Sequence, residues 1–162
     1  MTESTGISIL HVDDDSAFAG LTSEMLSKQA PQFTVEIVMS PSEGLERLDT
    51  TDFDCIVSDY QMPHQDGIEF LDAVREDYQN LPFILYTGEG SEAVASDAIA
   101  AGVTDYLQKG SGMGHYAVLA NKIRNAVESY RQRERLQASH DRLRQIIDML
   151  PQLVFAKNEV GE

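Results

Sequence analysis

Phe53-Asp54-Cys55-Ile56-Val57-Ser58-Asp59-Tyr60-Gln61-Met62-Pro63-His64-Gln65-Asp66-Gly67 is the stretch around which the rest of the chain is organised. Cys55-Ile56-Val57-Ser58 is short, apolar and β-branched, as a strand buried on both faces is. It ends on a charge at Asp59, and Met62-Pro63 and Asp66-Gly67 bring turn chemistry directly afterwards. A carboxylate at the C-terminal end of a buried strand stands where open α/β sheets gather their ligands. Alone, such an aspartate merely ends a strand. A second acidic pair at Asp13-Asp14, with Thr87 and Lys109 closing two later strand-like runs, makes it a candidate site.

Outward from this stretch the pattern alternates. Ile7–Val12 reads as a first strand, and Asp15 or Ser16 as the N-cap of a helix carrying Phe18, Leu21, Met25 and Leu26. Pro31 bars that helix from running far beyond Lys28. Phe33–Val38 alternates as a half-exposed strand, and Ser40-Pro41-Ser42-Glu43 opens a short helix with Leu45 and Leu48 inward. Ile68, Phe70, Leu71 and Val74 mark a third helix. Leu81–Tyr86 is a fourth strand ending at Thr87. An Ala-rich helix capped by Ser91 and stopped at Gly102 follows. Val103–Gln108 is a fifth strand ending at Lys109, and a long helix begins near His115. Five strands alternating with helices predict a parallel three-layer α/β sheet. No Gly-x-Gly-x-x-Gly follows the first strand, so the flavodoxin-like order 2-1-3-4-5 fits better than a dinucleotide-binding one. That order brings Asp13, Asp14 and Asp59 to one rim.

Composition narrows the function. The chain has 162 residues and a formal net charge of −15, from 27 acidic and 12 basic side chains. Such a surface repels phosphate backbones and argues against direct nucleic-acid binding. No apolar run is long enough to span a bilayer, and the start lacks the basic and apolar regions of a signal peptide; a cytoplasmic protein is expected. The single Cys55 reads as an inert core thiol. Abundant acid with four lysines suits a salty cytoplasm, where a Debye length of roughly 3 Å at 1 M mutes self-repulsion. A halophilic source is therefore a hypothesis. The charge is uneven: residues 1–115 carry 21 acids and 4 bases, residues 116–162 carry 6 acids and 8 bases. An acidic domain followed by a less acidic extension is expected.

Clustered carboxylates cannot all stay ionised without raising a pKa or gathering a cation, and hard oxygen ligands suit Mg²⁺ or Mn²⁺. Such an ion can hold the oxygens of a transferring phosphoryl group while an adjacent carboxylate attacks it. Thr87 offers a hydroxyl and Lys109 an ammonium to the remaining oxygens. The histidines add little at this level. His11 is expected to pack in its strand and His64 to lie exposed in a turn. His115 and His140 sit near or on the long helix, and no pair has metal-ligand spacing with a carboxylate.

The pair Asp13-Asp14, the run S-D-Y-Q-M-P-x-x-D-G around Asp59, Y-T-G at Thr87 and A-G-x-x-D-Y-L-x-K ending in Lys109 together resemble a response-regulator receiver (CheY-like) domain over residues 7–128. The resemblance implies that Asp59 accepts a phosphoryl group from a phosphohistidine on a histidine kinase or phosphotransfer protein. It implies Mg²⁺ held directly by Asp14, Asp59 and the Gln61 carbonyl, with Asp13 acting through water. Lys109 would pair with the phosphate, Thr87 would swing towards it, and Tyr106 would follow as the switch aromatic. Gln61 and Glu89 occupy positions that tune phosphate lifetime. One departure stands out: Gly110 follows Lys109 where the family usually has proline. A glycine cannot lock that turn.

The long helix has two seams. Tyr116, Leu119, Ile123, Ala126 and Tyr130 fit packing on a sheet; Leu136, His140, Leu143, Ile147 and Leu150 resume at 4-3-4-3 spacing after the basic stretch at 131–135. The second seam is either a solvated helix face or a parallel coiled coil joining two copies, and a homodimer is the expectation. Leu150-Pro151 is expected to stop the helix. The last residues, with a strand at Leu153–Ala156, resemble the opening of a PAS sensor domain, as in haloarchaeal receiver–PAS histidine kinase proteins. The expected organisation is a receiver at 1–130, a signalling helix at 131–150 and a truncated PAS start at 151–162, the chain being a fragment or shortened member of such a protein. A pseudo-receiver used only for dimerisation and a metal-dependent phosphohydrolase are the rival readings. The latter lacks its D-x-D-x-T pattern.

Overall fold

The computed structural model describes residues 6–88, 92–110, 112 and 114–148. The chain divides into two compact units, Met1–Glu128 and Ser129–Glu162. The first contains β1 (Ile7–Val12), α1 (Ser16–Gln29), β2 (Phe33–Val38), α2 (Pro41–Thr50), β3 (Cys55–Ser58), α3 (Gly67–Asp77), β4 (Phe83–Thr87), α4 (Glu92–Ala101), β5 (Asp105–Gln108) and the start of α5 (Met113–Gly161). All neighbouring strands pair in parallel in the order β2-β1-β3-β4-β5, the flavodoxin-like topology.

Local chemistry explains the element boundaries. The Asp15 side chain accepts the Phe18 amide and caps α1, and Ser40 accepts the Glu43 amide with Pro41 at the first position of α2. Asp66 and Glu69 form a reciprocal capping box that starts α3. Gly102, at φ 94°, lets the Val103 amide turn back to the Ala98 carbonyl and close α4. Because Val103 serves that turn, β5 begins at Asp105 rather than at Val103. β4 likewise starts at Phe83, after Pro82. The Ser91 cap expected for α4 lies outside the described residues.

The sheet separates two apolar layers. On one side Ile7, Ile9, Val57, Ile84 and Tyr86 pack under α1 and α5, which contribute Leu26, Leu119, Ile123 and Val127. On the other, Leu10, Val12, Ile56, Phe83 and Leu85 pack under α2, α3 and α4, with Leu48, Phe70, Leu71, Val74 and Ala98. β3 and β4 are buried at every position, as continuous apolar runs in a doubly covered parallel sheet must be. α1 corrects one expectation. Leu21 is 48% exposed, and Ala19 and Thr22 turn inward in its place.

The second unit is helical over its described residues. Leu136, Leu143, Ile146 and Ile147 are large, apolar and exposed there. The expected break at Pro151, the strand at Leu153–Ala156 and the PAS-like segment lie outside the described residues.

Candidate functional site

Each strand end is tied down by hydrogen bonds that continue the sheet ladder. The Asp13 amide donates to the Val38 carbonyl at 3.1 Å and the Asp59 amide to the Val12 carbonyl at 2.9 Å. The Lys109 amide donates to the Thr87 carbonyl at 2.7 Å. The carboxyl ends of β1, β3, β4 and β5 thereby form one rim. Gly67 sharpens it: its amide donates to the Tyr60 carbonyl at 2.7 Å, and a Cβ there would stand 2.3 Å from the Asp59 carbonyl oxygen.

At this rim carboxylate oxygens of Asp13, Asp14 and Asp59 lie within 4.8 Å of one another. They are not equivalent. Asp13 is fully buried, Asp59 is 8% exposed, and Asp14 faces solvent. Asp13 Oδ1 accepts the Asp15 amide at 2.9 Å, and its Oδ2 accepts from Lys109 Nζ at 3.2 Å. Asp59 Oδ1 accepts the Tyr60 amide at 2.8 Å, and its Oδ2 lies 3.4 Å from the same ammonium. Burial holds the Asp13 carboxyl above its ordinary pKa, against the opposing pull of the Asp15 amide and the Lys109 charge. Three carboxylates around one ammonium leave two formal negative charges, all on hard oxygen donors. That donor set fits a divalent cation such as Mg²⁺.

The cleft over this cluster is lined by Asp14, Asp15, Asp59, Gln61, Thr87, Gly88 and Lys109. Asp13, Asp14, Asp59, Thr87, Lys109 and Gln61, scattered through the sequence, therefore meet at one rim. Thr87 is 1% exposed, and Gln61 is open to solvent. Tyr106 does not line the cleft; it is half-buried against the apolar layer under α2–α4. Glu89 lies outside the described residues. A second cleft begins at Asp14 and Gln61 and continues over Tyr60, Met62, Pro63 and Asp66.

Two neighbours of this rim, and one property of a third, escaped sequence reasoning. The Lys109 ammonium sits 4.2 Å from the Phe18 ring centroid, a cation–π contact from a residue assigned only to the core. His115 reaches back from α5, its Nε2 2.6 Å from the Tyr86 hydroxyl and 3.3 Å from the Gly110 amide. His11 packs in β1 as expected, yet among the described residues neither buried ring nitrogen has a hydrogen-bond partner, Nε2 lying 4.0 Å from Asp13 Oδ2, and burial lowers its pKa to about 4. The interrupted Lys-Gly was the one available signal for His115, since an unlocked turn needs another anchor.

Comparisons with known proteins agree with this geometry. A family model described as response regulator receiver domain matches residues 9–121. Among curated proteins the chain is similar to the transcriptional regulatory protein CpxR of Escherichia coli (strain K12), at 35% identity over 101 residues, covering 62% of this chain and 42% of that one. It is also similar to the transcriptional regulatory protein FixJ of Bradyrhizobium diazoefficiens, at 32% over 98 residues, covering 60% and 47%. A protein-glutamate methylesterase/protein-glutamine glutaminase of Nocardioides sp. is 28% identical over 124 residues, covering 75% and 34%. The chain thus spans about a third to a half of the length of these relatives. Among solved structures, a CheY-like receiver domain protein from Methanospirillum hungatei JF-1 superposes with a TM-score of 0.71 at 25% identity, covering 80% of this chain and 99% of that one. The chemotaxis response regulator CheY4 of Vibrio cholerae gives 0.66 at 28%, covering 74% and 99%.

Proposed function

Because the chain belongs to the response regulator receiver domain family, we propose that it is a phosphoacceptor switch whose phosphorylated residue is Asp59. A carboxylate oxygen of Asp59 attacks the phosphorus of a phosphohistidine on a histidine kinase or phosphotransfer protein. The P–N bond breaks, the imidazole nitrogen keeps the electron pair, and an acyl phosphate remains on Asp59. The observation that carries this reading is that Asp59 lies in the rim with one oxygen held by the Tyr60 amide and the other 3.4 Å from Lys109. Mg²⁺, when bound, would supply positive charge to the phosphoryl oxygens. Asp14, Asp59 and the Gln61 carbonyl would hold that metal directly, and Asp13 would act through a water. Lys109 takes a phosphoryl oxygen, Thr87 turns its hydroxyl to another, and Tyr106 follows into the space beneath. Gln61 and Glu89 tune the lifetime of the acyl phosphate.

Incubation with acetyl phosphate and Mg²⁺, followed by intact-mass measurement, tests this. One labile phosphoryl adduct on the wild type, absent from Asp59→Asn, is expected. Metal binding without any adduct would favour the rival reading, a pseudo-receiver acting only as an interaction module.

The exposed Leu136, Leu143 and Ile147 of the second unit favour association of the helix with a second copy of the chain. Light scattering over a concentration series, on the whole chain and on residues 1–128, should give a dimer for the first and a monomer for the second. We further read the excess of acid as an adaptation to a salty cytoplasm, as in haloarchaeal proteins, and residues 151–162 as the start of a PAS domain in a longer receiver–PAS protein. Melting across a KCl series checks the first point: stability should rise with salt, and a flat or falling curve would refute it.

A further inference from the structure

The turn after β5 carries Lys109 into the rim, and in this chain a glycine occupies the position where a proline would stiffen it. Glycine leaves two things a proline would not: a free amide hydrogen and an open space where Cβ would stand. Both are used by one side chain. The Gly110 amide donates to His115 Nε2 at 3.3 Å, and a Cβ on Gly110 would meet His115 Nδ1 at 3.0 Å, closer than such contacts normally come.

Because the Gly110 amide donates to Nε2, that nitrogen is an acceptor and the ring proton resides on Nδ1. The Tyr86 hydroxyl lies 2.6 Å from the same nitrogen and shares its one lone pair as a second donor, and the two rings stack with centroids 5.3 Å apart and planes 20° from parallel. Tyr86 is fully buried in β4, next to Thr87, and so gives the imidazole a rigid backing. Lys109 is consequently pinned on both sides. Its own amide is bonded to the Thr87 carbonyl at 2.7 Å, and the next amide is bonded to His115. With both flanking amides fixed, the ammonium is delivered to Asp13 and Asp59 from a set point, over the Phe18 ring.

We propose that His115 is a positioning residue for Lys109, acting as a hydrogen-bond clamp on the Gly110 amide in place of a rigid proline. The proposal rests on the phosphoacceptor reading only for its effect on rate; the clamp itself has a separate readout. A side chain misplaced by about an ångström in such a site slows transfer by as much as a hundredfold, and a loosened turn by less.

Three variants test this: His115→Phe keeps the ring and its stack on Tyr86 but removes the acceptor, His115→Gln restores an acceptor without the ring, and Gly110→Ala pushes on the imidazole. With acetyl phosphate at saturating Mg²⁺, His115→Phe should form the Asp59 adduct about tenfold more slowly, with Mg²⁺ affinity within about twofold of wild type. His115→Gln should recover most of that loss, and Gly110→Ala should resemble His115→Phe. Gly110 amide hydrogen exchange, followed by NMR, should be slow in wild type and His115→Gln and fast in His115→Phe. Equal rates and equal protection in wild type and His115→Phe would overturn the proposal, as would His115→Phe and His115→Gln losing rate and protection alike. If the wild type takes up no phosphoryl group, the phosphoacceptor reading fails, and amide protection alone decides the clamp.

Discussion

Lys109 and Asp13 form a 3.2 Å ion pair in which the carboxylate is wholly buried and the lysine side chain is 19% exposed. The same ammonium reaches Asp59 at 3.4 Å, so one cation bridges the first and third strands from the fifth. Lys109→Ala should therefore act in two opposite directions. Phosphorylation by acetyl phosphate should slow by about one to two orders of magnitude, through loss of a charge aimed at the phosphoryl oxygens. Mg²⁺ affinity should rise several-fold, because a competing positive charge has gone. Titration calorimetry beside the mass assay separates the effects, and a joint fall in both would mean that the rim had collapsed.

Metal binding should stabilise the fold. A ligand at a hundred times its Kd adds about 2.7 kcal/mol to a site that exists only in the native state, or roughly 10 °C in the melting temperature of a domain of this size. Asp14→Asn removes the exposed member of the carboxylate cluster. It should leave the melting temperature without metal nearly unchanged while abolishing most of the Mg²⁺-dependent rise in a thermal melt. A full rise in Asp14→Asn would take that residue out of the binding set.

His11 predicts an acid limb. Its pKa falls from 6.5 to about 4 on folding, chiefly through burial and secondarily through the Lys109 charge. Between those two values the unfolded chain binds a proton that the folded chain refuses. Stability is thus fully present above pH about 6.5 and falls as pH drops towards 4, by on the order of 3 kcal/mol. Neither ring nitrogen makes a hydrogen bond among the described residues, so His11→Leu removes an unsatisfied polar group as well. Urea denaturation of wild type and variant between pH 7.5 and 4.5 should give a shallower acid decline for His11→Leu, with equal or greater stability at pH 7.5.

Gly67→Ala should be poorly tolerated for a steric reason. The added methyl would stand 2.3 Å from the Asp59 carbonyl oxygen and 2.9 Å from Leu85 Cδ1. Since the nearer atom is backbone, relief must come from moving the Asp59 segment, at a cost of about 2 kcal/mol or more. Denaturation and Mg²⁺ titration should report the damage together. Loss of stability with intact metal affinity would show that the loop relaxes away from the site.

The rim was legible in the sequence because a parallel sheet makes it so. Runs such as Cys55–Ser58 and Phe83–Thr87 are buried on both faces and stand out as unbroken apolar stretches. Polar and charged residues gather at the carboxyl ends of the strands, where Asp13, Asp59, Thr87 and Lys109 are found. What could not be read was which neighbours would lean on them. Phe18 lies on the core side of α1, and only tertiary packing brings Lys109 over its ring. Hydropathy favoured Leu21 as a buried residue of α1. The helix phase set by the Asp15 cap turns Thr22 inward instead. His115 and Gly110 are close in sequence, but their bond depends on how the turn folds back.

α4 buries a single residue, Ala98, whereas α3 on the same side of the sheet buries Gly67, Phe70, Leu71 and Val74. With only the half-buried Val94 and Ala101 packed beside that methyl group, α4 detaches or slides for less free energy than its neighbour does. The layer is thus hinged unevenly, stiff where the acceptor loop enters α3 and yielding beyond Thr87. A disturbance at the rim would find its outlet there, and α4 should be the first helix of the domain to exchange its amide hydrogens.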